Sequence, residues 1–157
     1  MKLSSDNSIY FKIAEGANRL RLVSESIPVW TEFNRAEKTA TKYLDAETAA
    51  EHPDAKLRHA FWAIDRTDGK IKMCEMGVSI MRQIQALALD ENYQFDSVPS
   101  YDIKLTREGQ GMDTSYSILP LPPTPLTDEE KQKITVLEPV LQFMQKQPGV
   151  IVKSEPF

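Results

Sequence analysis

Residues 57–76, LRHAFWAIDRTDGKIKMCEM, decide how the chain is read. Two runs of alternating apolar and polar residues, rich in aromatic and basic side chains, flank Asp68-Gly69, and the pattern predicts a β-hairpin. Asp-Gly suits a two-residue type I′ turn because both central positions take positive φ, which glycine reaches freely and aspartate at modest cost. With Thr67 opposite Lys70, Arg66 faces Ile71, Asp65 faces Lys72, Ile64 faces Met73 and Trp62 faces Glu75. One face then carries Trp62, Ile64, Ile71 and Met73, the other His59, Phe61, Asp65, Lys72 and Cys74. A three-residue loop with a G1 bulge instead pairs Arg66 with Lys70 and gathers Trp62, Ile64, Arg66, Lys70 and Lys72. The first register is preferred: it collects aliphatics inward, sets Asp65 against Lys72 outward, and makes Phe61 the exposed ring. In either register an aromatic stands beside lysine or arginine on a strand.

At 157 residues, 41% hydrophobic and 27% charged, the chain is long enough for one domain with a sizeable core. A lone cysteine, Cys74, excludes an internal disulfide framework, and two histidines without a CxxC exclude the usual soft-ligand zinc clusters. No metal or other cofactor is expected, and the setting expected is the reducing cytoplasm. No apolar run approaches the roughly 20 residues that span a bilayer, and the first residues lack a secretory apolar stretch, so no membrane association is expected. The net charge of −4 argues against a generic polyanion binder, although groove binding depends on distribution more than on total.

Around the hairpin, residues 9–13 alternate as a short strand. Residues 18–23 alternate Arg19 and Arg21 with Leu20 and Leu22, which predicts two guanidinium groups on the solvent face of a half-buried strand. Residues 27–33 continue as strand with Trp30 and Phe33, and Pro28 marks an edge or bulge. Residues 34–56 form an insertion without strand alternation, partly helical, from which Lys38, Lys42 and Tyr43 can reach a ligand. Residues 77–90 space Ile80, Met81, Ile84, Leu87 and Ala88 as an amphipathic helix with Ser79 as N-cap, a plug over the end of a sheet. Residues 101–107 and 114–119 form a second hairpin. LPPTPLT then breaks strand structure, and Thr127 or Asp128 caps a helix over 129–147, interrupted by Pro139.

This order predicts a mainly β fold: a five-stranded OB-fold barrel with a helix between strands 3 and 4, a partly helical insertion after strand 1 and a C-terminal helix. Residues 1–125 are the expected OB-fold domain, and residues 126–157 the C-terminal helix and tail. No P-loop, GxSxG, HExxH or Cys-His arrangement points to an enzyme. Asp90, Glu91 and Asp96 lie in a loop and are the nearest approach to a magnesium cluster.

The runs FWAIDRTDGKIKMCEMGVSIMRQI and YDIKLTREGQGMDTSYSILPLPP resemble bacteriophage-encoded single-stranded DNA-binding proteins with an OB-fold, over roughly residues 10–126. The resemblance implies a protein that coats transient single strands in phage replication, recombination and repair. Zinc-containing members place a Cys/His cluster where this chain has residues 34–53; here only His52 and His59 lie nearby, so no metal is expected. The long acidic C-terminal tail common among such proteins is also lacking.

Sequence-tolerant single-strand binding needs aromatic faces for bases, at roughly 1–3 kcal/mol each, and cations for phosphates. The candidates are Arg19, Arg21, Trp30 and Phe33 from the first strand, Arg58, Phe61, Trp62, Arg66, Lys70 and Lys72 from the central hairpin, and Lys104, Arg107 and Tyr116 from the last. The alternative for each ring is core packing. The alternative function is an OB-fold protein–protein adaptor of the phage replication machinery, which acidic charge and an apolar terminal helix suit. The terminal Glu155-Pro156-Phe157 is similar to the tip with which bacterial single-stranded DNA-binding proteins dock host replication and repair enzymes, and is otherwise an ordinary chain end.

Overall fold

A computed structural model of the chain describes residues 9–152. Its strands are β1 (Gly16–Leu22), β2 (Ile27–Asn34), β3 (Thr39–Tyr43), β4 (Lys56–Asp65), β5 (Lys70–Gly77), β6 (Tyr101–Glu108), β7 (Ser115–Pro123) and β8 (Val150–Ile151). Four α-helices accompany them among the described residues: α1 (Ala46–Ala49), α2 (Val78–Leu89), α3 (Asp128–Thr135) and α4 (Val140–Gln145). All eight strands belong to one mixed sheet, ordered β7-β6-β1-β4-β2-β3-β8, with β5 on the other edge of β4. Among the described strands only β3 and β8 pair in parallel, and Tyr10 makes an isolated parallel bridge with Met73.

β1 and β2 act as one bent strand. Both pair with β4, through Leu20–Leu22 and Ile27–Thr31 respectively, while the other edge of β1 takes β6 and that of β2 takes β3. The central hairpin closes through a four-residue loop, with Asp65 opposite Lys70, Ile64 opposite Ile71 and Trp62 opposite Met73. Both two- and three-residue turns are therefore corrected. Gly69 takes φ 74° and its N–H donates to the Asp65 carbonyl at 2.7 Å, while Asp65 Oδ1 accepts from Thr67 N, so local side-chain bonds widen the turn. The register slips by two residues, which keeps the preferred face assignment: Trp62, Ile64, Ile71 and Met73 still share one side.

Both sides of β4 are covered. On the inner side Leu20, Leu22, Phe61, Ala63, Cys74 and Met76 pack with Ile80, Met81 and Ile84 of α2 and with Tyr101, Ile103, Leu105 and Ile118. On the outer side Val29, Ala60, Trp62 and Met73 pack with Val140, Phe143 and Met144 of α4. The Trp62 indole N–H donates to the Glu138 carbonyl at 2.8 Å, and its ring meets Phe143 edge-on at 4.8 Å.

The sheet does not close into the expected five-stranded barrel, and two local contacts account for the gap. Phe11 N–H bonds the Met73 carbonyl beside a Tyr10 bridge, which occupies the β5 edge. Gln83 of α2 donates Nε2 to the Tyr116 carbonyl and accepts from Ile118 N–H, which occupies the β7 edge. Residues 9–13 are accordingly not a strand beyond that single bridge. The insertion contains a strand, β3, besides the one-turn α1. α2 starts from Gly77, and Ser79 lies inside it. β7 runs through to Pro123, opposite Tyr101, instead of stopping before the prolines. The C-terminal helix is two helices separated at 136–139, and Thr127 with Glu130 forms a capping box at the start of α3.

Candidate nucleic-acid interface

Residues paired across a ladder share a face, so the outer face of the sheet can be followed from strand to strand. On β6 and β1, Lys104 lies opposite Arg19, and Asp102 and Arg21 alternate onto the same side. Through Arg21 opposite Ile64 this face continues onto β4, whose Trp62 and Ala60 lie beneath the C-terminal segment, and ends at Arg58, Lys56, Thr31 and Phe33. α4 crosses the middle. A stretch of outer face remains on each side of it.

The first stretch is a cluster of arginines around one carboxylate. Asp102, 2% exposed, accepts from Arg19 Nε at 3.0 Å, from Arg21 Nη1 at 3.4 Å, and from Arg66 Nε and Nη2 at 3.0 and 3.1 Å. Arg66 Nη1 also reaches Glu130 Oε2 at 2.5 Å. Burial on its own would raise the Asp102 pKa, but the hydrogen bonds and charge of Arg66, with those of Arg19 and Arg21, outweigh it and hold the carboxyl below the usual aspartate range. Lys104 pairs with no carboxylate among the described residues. Four cations therefore face two carboxylates here, beside the exposed Leu119. The Arg19 side chain is 57% exposed and Arg21 5%, so of two guanidiniums expected in solvent only Arg19 stands there. Arg21 turns onto Asp102 and Thr124 because a carboxylate buried under the strand needs a counter-charge.

The second stretch carries Phe33, 64% exposed, opposite Ala40, with Lys56 exposed on the same face and Arg35 and Lys38 in the adjoining turn. Beside it a cavity of about 510 Å³ opens between Tyr10, Lys42, Glu75 and Pro148-Gly149, where Lys42 pairs with Glu75. Lys56 and Arg35 were not among the sequence candidates; Arg35 lies two residues after Phe33, and Lys56 joins this face only through the pairing of β2 with β4, opposite Thr31.

The remaining candidates go elsewhere. Phe61 is fully buried and Trp62 4% exposed, which corrects the expectation of an exposed Phe61: with both sides of β4 covered, neither ring presents a face to a base. Trp30 is half-buried between Tyr43 and Leu57. Arg58 donates to the Glu75 carbonyl and Arg107 to that of Ile13. Lys72 is held between Asp65 and Asp68 at 2.8 and 2.9 Å, and Lys70 is exposed at the start of β5. Tyr116, opposite Arg107, packs against the inner core. The terminal Pro156 and Phe157 lie outside the described residues. Among the described residues no three His, Cys, Asp or Glu side chains gather as a metal site, and no helix is long and apolar enough to cross a membrane.

Over an alignment of 192 positions the chain is 23% identical to a probable ssDNA-binding protein of Escherichia phage T5, covering 97% of this chain and 73% of that protein. No family model matches the chain, and no solved structure matches it.

Proposed function

We propose that this protein binds single-stranded DNA without sequence preference, on the outer face of the sheet, and serves a phage in replication, recombination or repair inside the host cytoplasm. The observation that carries the reading is the convergence of Arg19, Arg66 and Lys104, with Arg21 behind them, on one face of a chain whose net charge is −4. Local positive charge on an acidic protein is what backbone-phosphate contact requires. Phe33 supplies a ring for stacking, with Lys56 and Arg35 as flanking cations. The likeness to the phage T5 protein points the same way. The pairings of β1 and β2 with β4, β4 with β5, β1 with β6 and β6 with β7 follow the order of an OB-type barrel opened between β5 and β7, which supports an OB reading of residues 1–125.

Fluorescence anisotropy with oligo-dT and with duplex of equal length, each across a salt series, tests the proposal. Preference for oligo-dT with log affinity falling linearly in log salt is expected. Equal affinity for duplex, or no binding, overturns it.

A further inference from the structure

The cation cluster on the outer face already holds an anion that belongs to another element. Arg66 spends Nε and Nη2 on Asp102, which fixes the plane of its guanidinium, and offers Nη1 to Glu130. Glu130 stands in the first turn of α3, next to Asp128 and Glu129. α3 contains no buried residue, in contrast to α4, where Val140, Phe143 and Met144 are buried. It runs between a proline-rich approach, 120–125, and the break at 136–139. The Arg66 pair is the one ion pair between α3 and the sheet among the described residues.

We propose that Glu130 occupies the position of a DNA backbone phosphate on Arg66, and that single-stranded DNA binds by displacing Glu130 and lifting α3 away from the sheet. This rests on the single-strand reading above. An incoming phosphodiester replaces Glu130 as acceptor for Arg66 Nη1, since carboxylate and phosphate oxygens accept from a guanidinium in the same geometry. Arg19, bonded to Asp102 through Nε alone, and Lys104 opposite it add donors to the same phosphate. Asp102 stays in place throughout and keeps the three arginines oriented. α4 does not move, because its side chains complete the outer core. Glu130 thus sets how much phosphate competition is needed before a strand can settle, and selects against isolated anions that bring only one contact.

The test compares oligo-dT binding by the wild type, Glu130→Gln and Glu129→Gln, with amide hydrogen exchange of α3 in the wild type with and without oligo-dT. Glutamine at 130 keeps the capping box, whose N3 position accepts either residue, so α3 still folds. Glu129 is 79% exposed and pairs only with Lys133, so its substitution removes the same charge without freeing Arg66. The expected results are about three- to tenfold tighter binding for Glu130→Gln at low salt, with a salt slope steeper by a fraction of one phosphate contact, less than a twofold change for Glu129→Gln, and faster exchange in α3 when DNA binds. Binding by Glu130→Gln no tighter than wild type, an equal gain for Glu129→Gln, or unchanged α3 exchange overturns the displacement. Failure of the wild type and of Glu130→Gln alike to bind oligo-dT overturns the single-strand reading itself.

Discussion

Arg66 and Asp102 meet as a bidentate pair, Nε to Oδ2 at 3.0 Å and Nη2 to Oδ1 at 3.1 Å, joining the central hairpin to β6 across the intervening β1. The carboxylate is also the counter-charge of Arg21, whose side chain is 5% exposed. Removing one partner of a buried pair leaves the other charge uncompensated. Asp102→Asn is therefore expected to destabilise by about 3–5 kcal/mol, read as a lower urea midpoint. Arg19→Ala, at a side chain 57% exposed, is expected to cost at most about 1 kcal/mol. Equal costs at the two positions would show that the cluster is not organised around Asp102.

Acid acts on the same cluster. Asp102 and Glu130 are both held below the ordinary carboxylate range, Asp102 by Arg66 and its neighbours against the effect of burial, Glu130 first by the Thr127 backbone N–H and then by Arg66. A depressed folded-state pKa contributes stability that is fully present above the unfolded value and is lost as pH falls through the folded one. Thermal stability should therefore hold above about pH 5 and fall progressively below about pH 4. The Asp102→Asn variant, already less stable, should lose less over that window. A parallel decline of wild type and variant would remove Asp102 from the account.

Phe61 and Trp62 occupy opposite sides of β4, and both sides are core. Alanine at either position should destabilise by about 3–5 kcal/mol, with Trp62→Ala also leaving the Glu138 carbonyl without its donor. Neither change should weaken oligo-dT binding beyond the loss of folded protein. Selective loss of binding by Phe61→Ala at unchanged urea midpoint would restore it to the surface.

These two residues also show what was legible in the sequence. The hairpin, its partition of side chains between two faces, α2 and the second hairpin follow from turn residues and apolar periodicity, which are local. Two-sided burial of β4 is signalled by the unbroken run Ala60 to Ile64, since a continuous apolar stretch marks a strand covered on both faces; reading it as alternation put Phe61 in solvent. Its cover, Val140, Phe143 and Met144, comes from about 80 residues further on, and no local pattern specifies where that helix docks. The same holds for Arg21, whose alternation with leucine predicts solvent until Asp102 is brought beneath it by the pairing of β1 with β6. Lys104 and Phe33, with no long-range partner to draw them in, stand where alternation placed them.

Phe33 and Lys104 separate the two physical contributions to binding. Phe33→Ala should lower oligo-dT affinity by about 1–3 kcal/mol, the worth of one stacked base, with the salt slope unchanged. Its stability should change by no more than about 0.5 kcal/mol because the ring is 64% exposed. Lys104→Ala should instead reduce the salt slope by about one and weaken binding uniformly across sequences. Anisotropy titrations at four or more salt concentrations distinguish the two. An unchanged slope for Lys104→Ala would place the phosphates off this face.

Gln83 holds the sheet open. Its amide bonds Tyr116 O and Ile118 N at 2.9 Å each, so a helix side chain does for the β7 edge what a neighbouring strand does elsewhere. Alanine there strands one backbone donor and one acceptor beside the core, and the expected loss is about 1–3 kcal/mol. Glutamate retains an acceptor for Ile118 but has no donor for Tyr116, so its loss should be intermediate at neutral pH. Amide exchange localises the effect: Ile118 N–H should lose protection in Gln83→Ala while Leu105 N–H, opposite Ile118 but on the β1 side of β6, keeps it. An unpaired β7 edge is also a template for another strand, so the alanine variant should associate with rising concentration in sedimentation velocity. A monomeric Gln83→Ala protein with Ile118 still protected would mean that this edge is satisfied without Gln83.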